Sequence, residues 1–284
     1  MLNFHWLSRG EILEPKFFKK LNHDINFCGY KTWLTSYHSR NGDSLVKVAN
    51  CIKNNENLKY IIPIRPYSIS PEYFSMMMST FEEISPHKVS VALLPGGIQD
   101  SENSLSLLID DPVKFDTLEK RMISIRNWTE KFKKTYLFEE YPYFELFFAG
   151  NNKIIFNLAK DFNGYLICMY DVYKKNKLFL DKNKTIISIS VSICETVEDY
   201  ENCKKHIKNT PAEDWSIFGS KEFIIKKLLE IEQDGFLNVQ LHGNVFDKKR
   251  HLIHEMVYEL NFNKTMPKQS LQYDYTEDFN WNHE

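Results

Sequence analysis

The feature that most constrains the fold is a regular switch between two hydrophobic periods along the whole chain. Short apolar runs with strand character recur, and segments with the apolar spacing of a helix lie between them. Several of these runs are apolar on both faces, as expected for strands that helices cover on one side and a filled barrel interior on the other. The strands are predicted at 2–7, 31–36, 58–64, 88–94, 143–149, 164–170, 184–193 and 236–242.

Eight such strands separated by helices predict an α/β fold of the (β/α)8 type, a TIM barrel. The alternative is a doubly wound open sheet. It is disfavoured because no G-x-G-x-x-G follows the first strand, where the chain reads WLSRGEI. No linker is visible, so we expect one barrel domain over 1–262. The tail 263–284 has no helical period and is expected to be disordered or to dock on a partner subunit.

Residues suited to helix caps mark the starts of several helices. Ser70 is suited to an N-cap and Pro71 to the first helical position of the segment that follows the third strand. Asp43 is suited to cap the preceding helix. Ser220, which comes after Gly219, is suited to cap the helix before the eighth strand.

Composition and charge exclude several classes of function. The chain has 36 basic and 38 acidic residues, so it lacks the electrostatic footprint of a protein that binds nucleic acid or an anionic membrane. No apolar run is long enough to cross a bilayer, and the N-terminus does not have the pattern of a secretory signal. The five cysteines are scattered without a C-x-x-C pair, which predicts reduced thiols in a cytoplasmic protein and no zinc site.

Two neighbouring strands end at corners with special backbone requirements. The run YIIPI stops at Arg65-Pro66, and the run VSVALL stops shortly before Pro95-Gly96-Gly97. In a (β/α)8 barrel the carboxyl ends of the strands build the binding site. We therefore expect both corners to lie where a ligand binds.

The stretch from 58 to 97 resembles the third and fourth strands of the luciferase-like flavin monooxygenases, and among them the alkanesulfonate monooxygenase branch. In that family a strand ending in RP is followed by SP, a helix, and a strand that ends before a glycine. The resemblance covers nearly the whole chain and rests on the order and spacing of several segments. These are FHWLSRGE, NFCGYKTWLTSY, EEYPYFELFFAGNN, SICETVEDYENCKKHI and IFGSKEFIIKKLLEIEQDGFLNVQLHG.

The resemblance implies an enzyme that binds reduced flavin mononucleotide, FMNH2, at the barrel mouth. It implies a two-component monooxygenase, in which a separate flavin reductase supplies the FMNH2 and a C4a-peroxyflavin oxidises a small organic substrate. It also implies a homodimer, or a heterodimer with a homologous subunit. No nucleic acid and no membrane are expected as partners.

The resemblance also implies which residues bind the flavin. Arg65 and the corner at 95–97 are assigned to the flavin or an anionic group. Gly150, Asn151 and Asn152 suit its phosphate, because glycine allows close backbone approach and the next helix begins with unbonded N–H groups. An ordinary turn with an asparagine as helix cap explains these three residues equally well.

The substrate and the catalytic groups are less clearly indicated. The sulfonate enzymes carry an Arg and a His two residues apart on strand seven, and the matching positions here are Ser188 and Ser190. Neither holds a permanent positive charge, so we do not expect a simple alkanesulfonate. An amine, a thiol or a carrier-bound metabolite in biosynthesis is equally open. Tyr37 and His38 after strand two, and His242 at the end of strand eight, are the candidate catalytic residues, since histidine can transfer a proton near neutral pH.

Two other functions stay open. The replaced site residues also fit a non-catalytic flavin-binding homologue or the inactive subunit of a heterodimer. The same barrel also serves enzymes that transfer hydride to or from a deazaflavin, and the sequence does not separate FMN from a deazaflavin.

Overall fold

A computed structural model describes residues 1–8, 15–35, 44–54, 57–96, 117–243 and 249–272 of the chain. The suggested cap Asp43 and the candidate site residues Tyr37, His38 and Gly97 lie outside these ranges, and so does the tail from residue 273 onward. Within the described ranges the strands are β1 (Asn3–Leu7), β2 (Thr32–Leu34), β3 (Lys59–Ile64), β4 (Val89–Leu93), β5 (Leu146–Ala149), β6 (Tyr165–Met169), β7 (Thr185–Ile193), β8 (Ser216–Gly219) and β9 (Asn238–Gly243). The helices of the same ranges are α1 (Pro15–Phe27), α2 (Ser44–Ala49), α3 (Pro71–Ile84), α4 (Leu118–Phe132), α5 (Tyr136–Glu140), α6 (Lys153–Asp161), α7 (Tyr170–Asn176), α8 (Val197–Ile207), α9 (Lys221–Gln233) and α10 (His251–Phe262).

The strands form one sheet in the order β6-β5-β4-β3-β2-β1-β9-β7-β8, and a further pairing joins β6 to β7. This pairing closes β1 to β7 and β9 into a ring, while β8 is a short extra strand beside the end of β7. The pairings β1–β9, β7–β9, β3–β4, β4–β5 and β5–β6 are all parallel. The predicted (β/α)8 barrel is therefore confirmed, and the strand predicted at 236–242 is β9.

Helix starts follow the local sequence where a cap is present. Ser70 Oγ accepts a hydrogen bond from the Tyr73 N–H at 3.1 Å, and Pro71 is the first residue of α3, as predicted. Ser220 Oγ accepts from the Phe223 N–H at 3.3 Å at the start of α9, also as predicted. Each bond satisfies a backbone donor that the first turn of a helix leaves without an intrahelical partner.

The contacts within the chain divide it into two compact units. The first unit holds residues 1–33 and those from 168 onward, and the second unit holds residues 34–167. Strands β2 and β6 each run through the boundary between them. The single domain over 1–262 stays a prediction. The described start of the tail is attached to the first unit, since the Gln272 N–H donates to Asp24 Oδ1 at 2.7 Å.

The helix-facing side of the first unit is apolar and aromatic. The Trp6 ring on β1 lies 4.5 Å from the His254 ring on α10, centroid to centroid, and 5.8 Å from the Tyr30 ring. Trp6 is in register with Leu241 of β9, which is in register with Ile189 of β7. Because residues in register share a face, these side chains of β1, β9 and β7 all point toward the helices.

The opposite side of the same three strands is polar, and we call it the polar strand face. It consists of His5, Ser188, Ser190, Ser192, Asn238, Gln240 and His242, which alternate with the apolar positions. Six of these side chains come from β7 and β9, where serine, asparagine, glutamine and histidine replace the branched apolar residues usual in a barrel interior. The first unit therefore has an apolar layer under its helices and a polar layer away from them.

The second unit has an aromatic core between α3 and α4. The Phe74 ring on α3 lies 5.7 Å from the Trp128 ring and 5.5 Å from the Phe132 ring, both on α4. The Trp128 indole N–H also donates to the Ile69 carbonyl at 2.7 Å. This bond fixes the segment that leads from the end of β3 into α3.

Two buried histidines couple the stability of the first unit to pH. The pKa of His254 is lowered to about 3, mainly by burial and in smaller part by the charges of Arg250 and His251. Burial lowers the pKa of His5 to about 4, opposed by its bond to Asn238. In the unfolded chain both groups titrate near 6.5. Between about 6.5 and these lowered values the unfolded state binds protons that the native state does not, so stability falls as the pH falls.

We expect His254→Phe to reduce this acid sensitivity. The ring stays against Trp6 and Tyr30, but the unfolded chain loses a group that takes up a proton below pH 6.5. Between pH 7.5 and 5.0 the wild-type protein should lose about 2 kcal/mol more unfolding free energy than the variant, which keeps only the contribution of His5. Urea denaturation at both pH values measures the difference. His206→Phe, on the exposed side of α8, is the control and should keep the wild-type loss. An equal loss in all three proteins would contradict the prediction.

Candidate functional site

The corner after β3 fixes the direction of the Arg65 side chain. Pro66 begins a short 3-10 turn, and a residue before proline is restricted to extended backbone, as Arg65 is, with φ −107° and ψ 113°. The Arg65 carbonyl accepts hydrogen bonds from the Ser68 N–H at 2.9 Å and the Ser68 hydroxyl at 2.7 Å. The guanidinium group is thus placed by a rigid turn at the carboxyl end of a strand.

The corner after β4 is shaped to receive that guanidinium. A Cβ atom on Gly96 would overlap the Arg65 guanidinium, and Gly96 has a φ of +51°, which side chains disfavour. Arg65 is buried, with 6% of its surface exposed. The two corners found in the sequence therefore fit each other, with Pro95 half-buried beside them.

The end of β5 joins a glycine to a helix start in the same unit. The Gly150 N–H donates to the Ile167 carbonyl at 3.0 Å, and a Cβ on Gly150 would lie 3.0 Å from Ile155 Cγ1. Asn152 is the N-cap of α6, since its Oδ1 accepts from the N–H groups of Ile154 and Ile155, both at 3.0 Å. Asn152 therefore acts as a helix cap in the structure. The phosphate role of Gly150, Asn151 and Asn152 stays a prediction.

A lysine that is not among the site residues predicted from the sequence stands at this helix start. Lys153 is the first residue of α6 and is exposed. The N-terminal end of a helix carries a partial positive charge, which disfavours a cation there unless an anion is bound. A lysine directly after a Gly-Asn-Asn turn was the signal that could have found it.

The first unit contributes His242 near the carboxyl end of β9. His242 is buried and is in register with Ser190 of β7. On the other face of β9, a Cβ on Gly243 would overlap the Arg250 side chain, and Arg250 is also buried. Sequence reasoning missed Arg250 because it belongs to the run DKKRH, which has the composition of a solvated charge cluster.

The hydrogen bonding of the polar strand face changes along the strands. Near the amino ends it is satisfied: Asn3 Nδ2 donates to Asn238 Oδ1 at 3.1 Å, and His5 Nδ1 lies 2.8 Å from Thr32 Oγ1. Farther along the strands, three buried side chains have polar atoms with no hydrogen-bond partner among the described residues. They are the hydroxyls of Ser188 and Ser192 and both amide atoms of Gln240.

The structure therefore places the candidate residues as follows. Arg65 and Gly96 touch each other in the second unit, and Gly150, Asn151 and Asn152 lie together at the end of β5 in that unit. His242 belongs to the first unit. In the described parts of the chain, no group of three or more His, Cys, Asp or Glu could hold a metal ion. None of the described helices is both long and apolar enough to span a bilayer.

No protein-family profile matches the sequence, but solved structures match its fold. Apo-MsnO8 is 10% identical and superposes with a TM-score of 0.72, covering 94% of this chain and 100% of that chain. The coenzyme F420-dependent tetrahydromethanopterin reductase from Methanopyrus kandleri is 10% identical with a TM-score of 0.69, covering 91% and 97%.

A third similar structure contains FMN. It is the oxygenating constituent of 3,6-diketocamphane monooxygenase, a type II Baeyer-Villiger monooxygenase from the CAM plasmid of Pseudomonas putida. It is 10% identical with a TM-score of 0.62, covering 97% of this chain and 98% of that chain. At these identities the similarity establishes the fold, a (β/α)8 barrel shared with flavin- and F420-dependent enzymes. The alkanesulfonate branch stays a prediction.

We expect Gly96→Ala to destabilise the protein by about 1–3 kcal/mol, because the new Cβ overlaps the Arg65 guanidinium and the positive φ disfavours it. In an Arg65→Ala background the overlap is gone. The same substitution should then cost only the smaller free energy of placing an alanine at a positive φ. Chemical denaturation of the four proteins of this double-mutant cycle measures the coupling. Equal costs of Gly96→Ala in both backgrounds would show that the guanidinium does not depend on the glycine.

Proposed function

We propose that the protein is a flavin-dependent monooxygenase of the two-component type, which uses FMNH2 to oxidise a small organic substrate other than a simple alkanesulfonate. The observation that carries the proposal is the buried Arg65 guanidinium, held against a glycine corner at the carboxyl ends of two barrel strands. In this fold the carboxyl ends of the strands are where ligands bind. The whole-chain similarity to an FMN complex of a monooxygenase supports the choice of ligand.

The residues of the second unit fit the charges of reduced FMN. Arg65 supplies a fixed cation for the flavin ring, and the glycine corner at 95–97 allows close approach of the backbone. Gly150, Asn151 and Asn152 would hold the phosphate at the start of α6, with Lys153 as the cation beside it. A phosphate there would explain why a lysine stands at the positive end of a helix.

The flavin, when bound, would activate molecular oxygen, and the protein would bind the substrate and exclude water. His242 is the proposed proton carrier from the described residues, because it is buried near the carboxyl end of β9. Tyr37 and His38 lie outside the described residues and remain candidates on the strength of the sequence.

The proposal includes partners that the sequence predicts. A separate flavin reductase would supply FMNH2, and the similarity to a protein described as the oxygenating constituent of a monooxygenase supports this arrangement. A homodimer, or a heterodimer with a homologous subunit, a cytoplasmic location and a role in biosynthesis remain predictions.

A deazaflavin-dependent hydride transfer is the second candidate function. The specific observation in its favour is the similarity to the F420-dependent reductase, which has the higher TM-score of the two cofactor-dependent enzymes compared. A non-catalytic flavin-binding role is the third outcome that the same experiment would recognise.

Anaerobic titration with FMNH2, oxidised FMN and F420 tests the proposal. We expect binding of FMNH2, and oxygen consumption above the background of the reductase when a flavin reductase, NADH and a candidate substrate are added. Preference for F420 would favour hydride transfer, and tight FMN binding without oxygen consumption would favour a binding protein. Absence of affinity for all three would overturn the proposal.

The phosphate assignment has a test of its own. We expect Lys153→Glu to weaken FMN binding about tenfold while leaving riboflavin binding unchanged, because only FMN carries the phosphate. Lys160→Glu makes the same charge change in the last turn of α6 and is the matched control. Fluorescence titration with both flavins measures the effect. Equal weakening for FMN and riboflavin would place the phosphate elsewhere.

A further inference from the structure

The polar strand face contains buried groups that no described part of the protein satisfies. Gln240 has no exposed surface, and its side-chain Nε2 and Oε1 both lack a partner among the described residues. The hydroxyls of Ser188 and Ser192 are in the same situation, with 2% of each residue exposed. Buried donors and acceptors left without partners each cost about 1–3 kcal/mol, so native proteins rarely keep several together without a use for them.

These three residues lie in one region of one unit. Ser188 of β7 is in register with Gln240 of β9, so their side chains are neighbours on the same face. Ser192 is four residues farther along β7 on that face, a separation of about 13 Å along the strand. The region thus extends from the middle of the strands to the carboxyl end, where a barrel binds its ligands.

At the amino ends of the strands, the buried polar side chains of this face have hydrogen-bond partners. Asn3, His5, Thr32 and Asn238 form hydrogen bonds with each other near the amino ends of the strands. The orphaned groups begin at Gln240, which is in register with His5, and continue toward the carboxyl ends of the strands. The side-chain hydrogen bonds at the amino end are therefore satisfied, and the orphaned groups need a partner that the described residues do not provide.

The face carries no fixed charge on the three strands that form it. Its β7, β9 and β1 positions hold no Lys, Arg, Asp or Glu. The buried Arg250 packs against Gly243, which occupies the alternate, helix-facing register of β9. On these three strands a buried anion or a buried ammonium group would find no permanent opposite charge, and an apolar group would leave the polar atoms unsatisfied.

We propose that Gln240 and Ser188 form a subsite for an uncharged amide-type group of the substrate, such as a carboxamide, a lactam or a urea. The Gln240 side chain presents a donor and an acceptor in one plane, and a second amide group matches both at once. This inference rests on the proposed function, since it assigns the substrate class of the same barrel. It favours a neutral amide over the sulfonate, amine or thiol substrates that the sequence leaves open.

Selectivity should follow from the unpaired groups. A site built to hydrogen-bond a polar substrate rejects an analogue that cannot do so, because its buried polar atoms then stay unsatisfied. The same groups weaken the ligand-free protein, so replacing them with apolar side chains of similar size should be neutral or stabilising. If Gln240 had a structural role instead, its replacement by an apolar side chain would lower the stability of the ligand-free protein.

The test uses benzamide and benzoate, which have the same size and differ in charge, without flavin. We expect benzamide to raise the Tm of the wild-type protein and to shift the Gln240 side-chain amide signals in NMR spectra, and benzoate to do neither. Gln240→Leu should weaken benzamide binding at least tenfold while leaving the Tm of the ligand-free protein equal or higher. Gln233→Leu, on an exposed position of α9, is the matched control and should bind benzamide as the wild type does.

A second variant guards against a failure of Gln240→Leu to fold. Ser188→Ala removes one oxygen atom and should weaken benzamide binding at least threefold without lowering the Tm. Equal binding of benzoate, no binding of benzamide to the wild type, or benzamide binding that both variants leave unchanged would each overturn the inference. FMN affinity is measured separately, so flavin binding without benzamide binding would reject only the subsite. Benzamide binding without flavin affinity would reject only the monooxygenase.

Discussion

The parallel register of β1, β9 and β7 is the constraint on which the first unit depends. It places Trp6, Leu241 and Ile189 on one side, where α10 covers them, and therefore places Gln240 and Ser188 on the other. A slip of one residue would exchange the two faces, exposing the aromatic layer and burying serines under the helices. The free energy of burying the apolar layer thus fixes which way the polar groups point. The orientation of the polar side chains is therefore a consequence of the apolar packing on the opposite face of the same strands.

In the second unit a backbone constraint has the comparable role. Proline restricts Arg65 to an extended conformation, the turn at Ser68 holds its carbonyl, and the absence of a side chain on Gly96 leaves room for its guanidinium. A buried cation is expensive unless its surroundings compensate it. Such a group at a strand end, where ligands of this fold bind, is therefore more informative about function than its sequence context, an Arg-Pro pair, would suggest.

Several local features could be predicted because the information lies within a few residues. Ser70 and Ser220 cap helices since a hydroxyl reaches an N–H three residues later, and the ring strands are marked by short apolar runs. Other elements escaped prediction. Helix α7 follows β6 directly and has no side-chain cap, and β8 is a strand of four residues that pairs only with the end of β7. The contact between Arg65 and Gly96, which joins the two strand-end corners, could not be seen at the level of single residues.

The sequence by itself determined the alternation of strands and helices, and with it the (β/α)8 fold, because hydrophobic period is a property of neighbouring residues. It also determined that Ser188 and Ser190 cannot carry a permanent charge. Only the tertiary structure decided that Asn152 caps a helix, that Arg65 lies over Gly96, and that the unsatisfied groups of Gln240 and Ser188 are neighbours. The reason is that hydrogen-bond satisfaction and burial depend on partners from distant strands, and register, unlike period, is set only when the ring of strands closes.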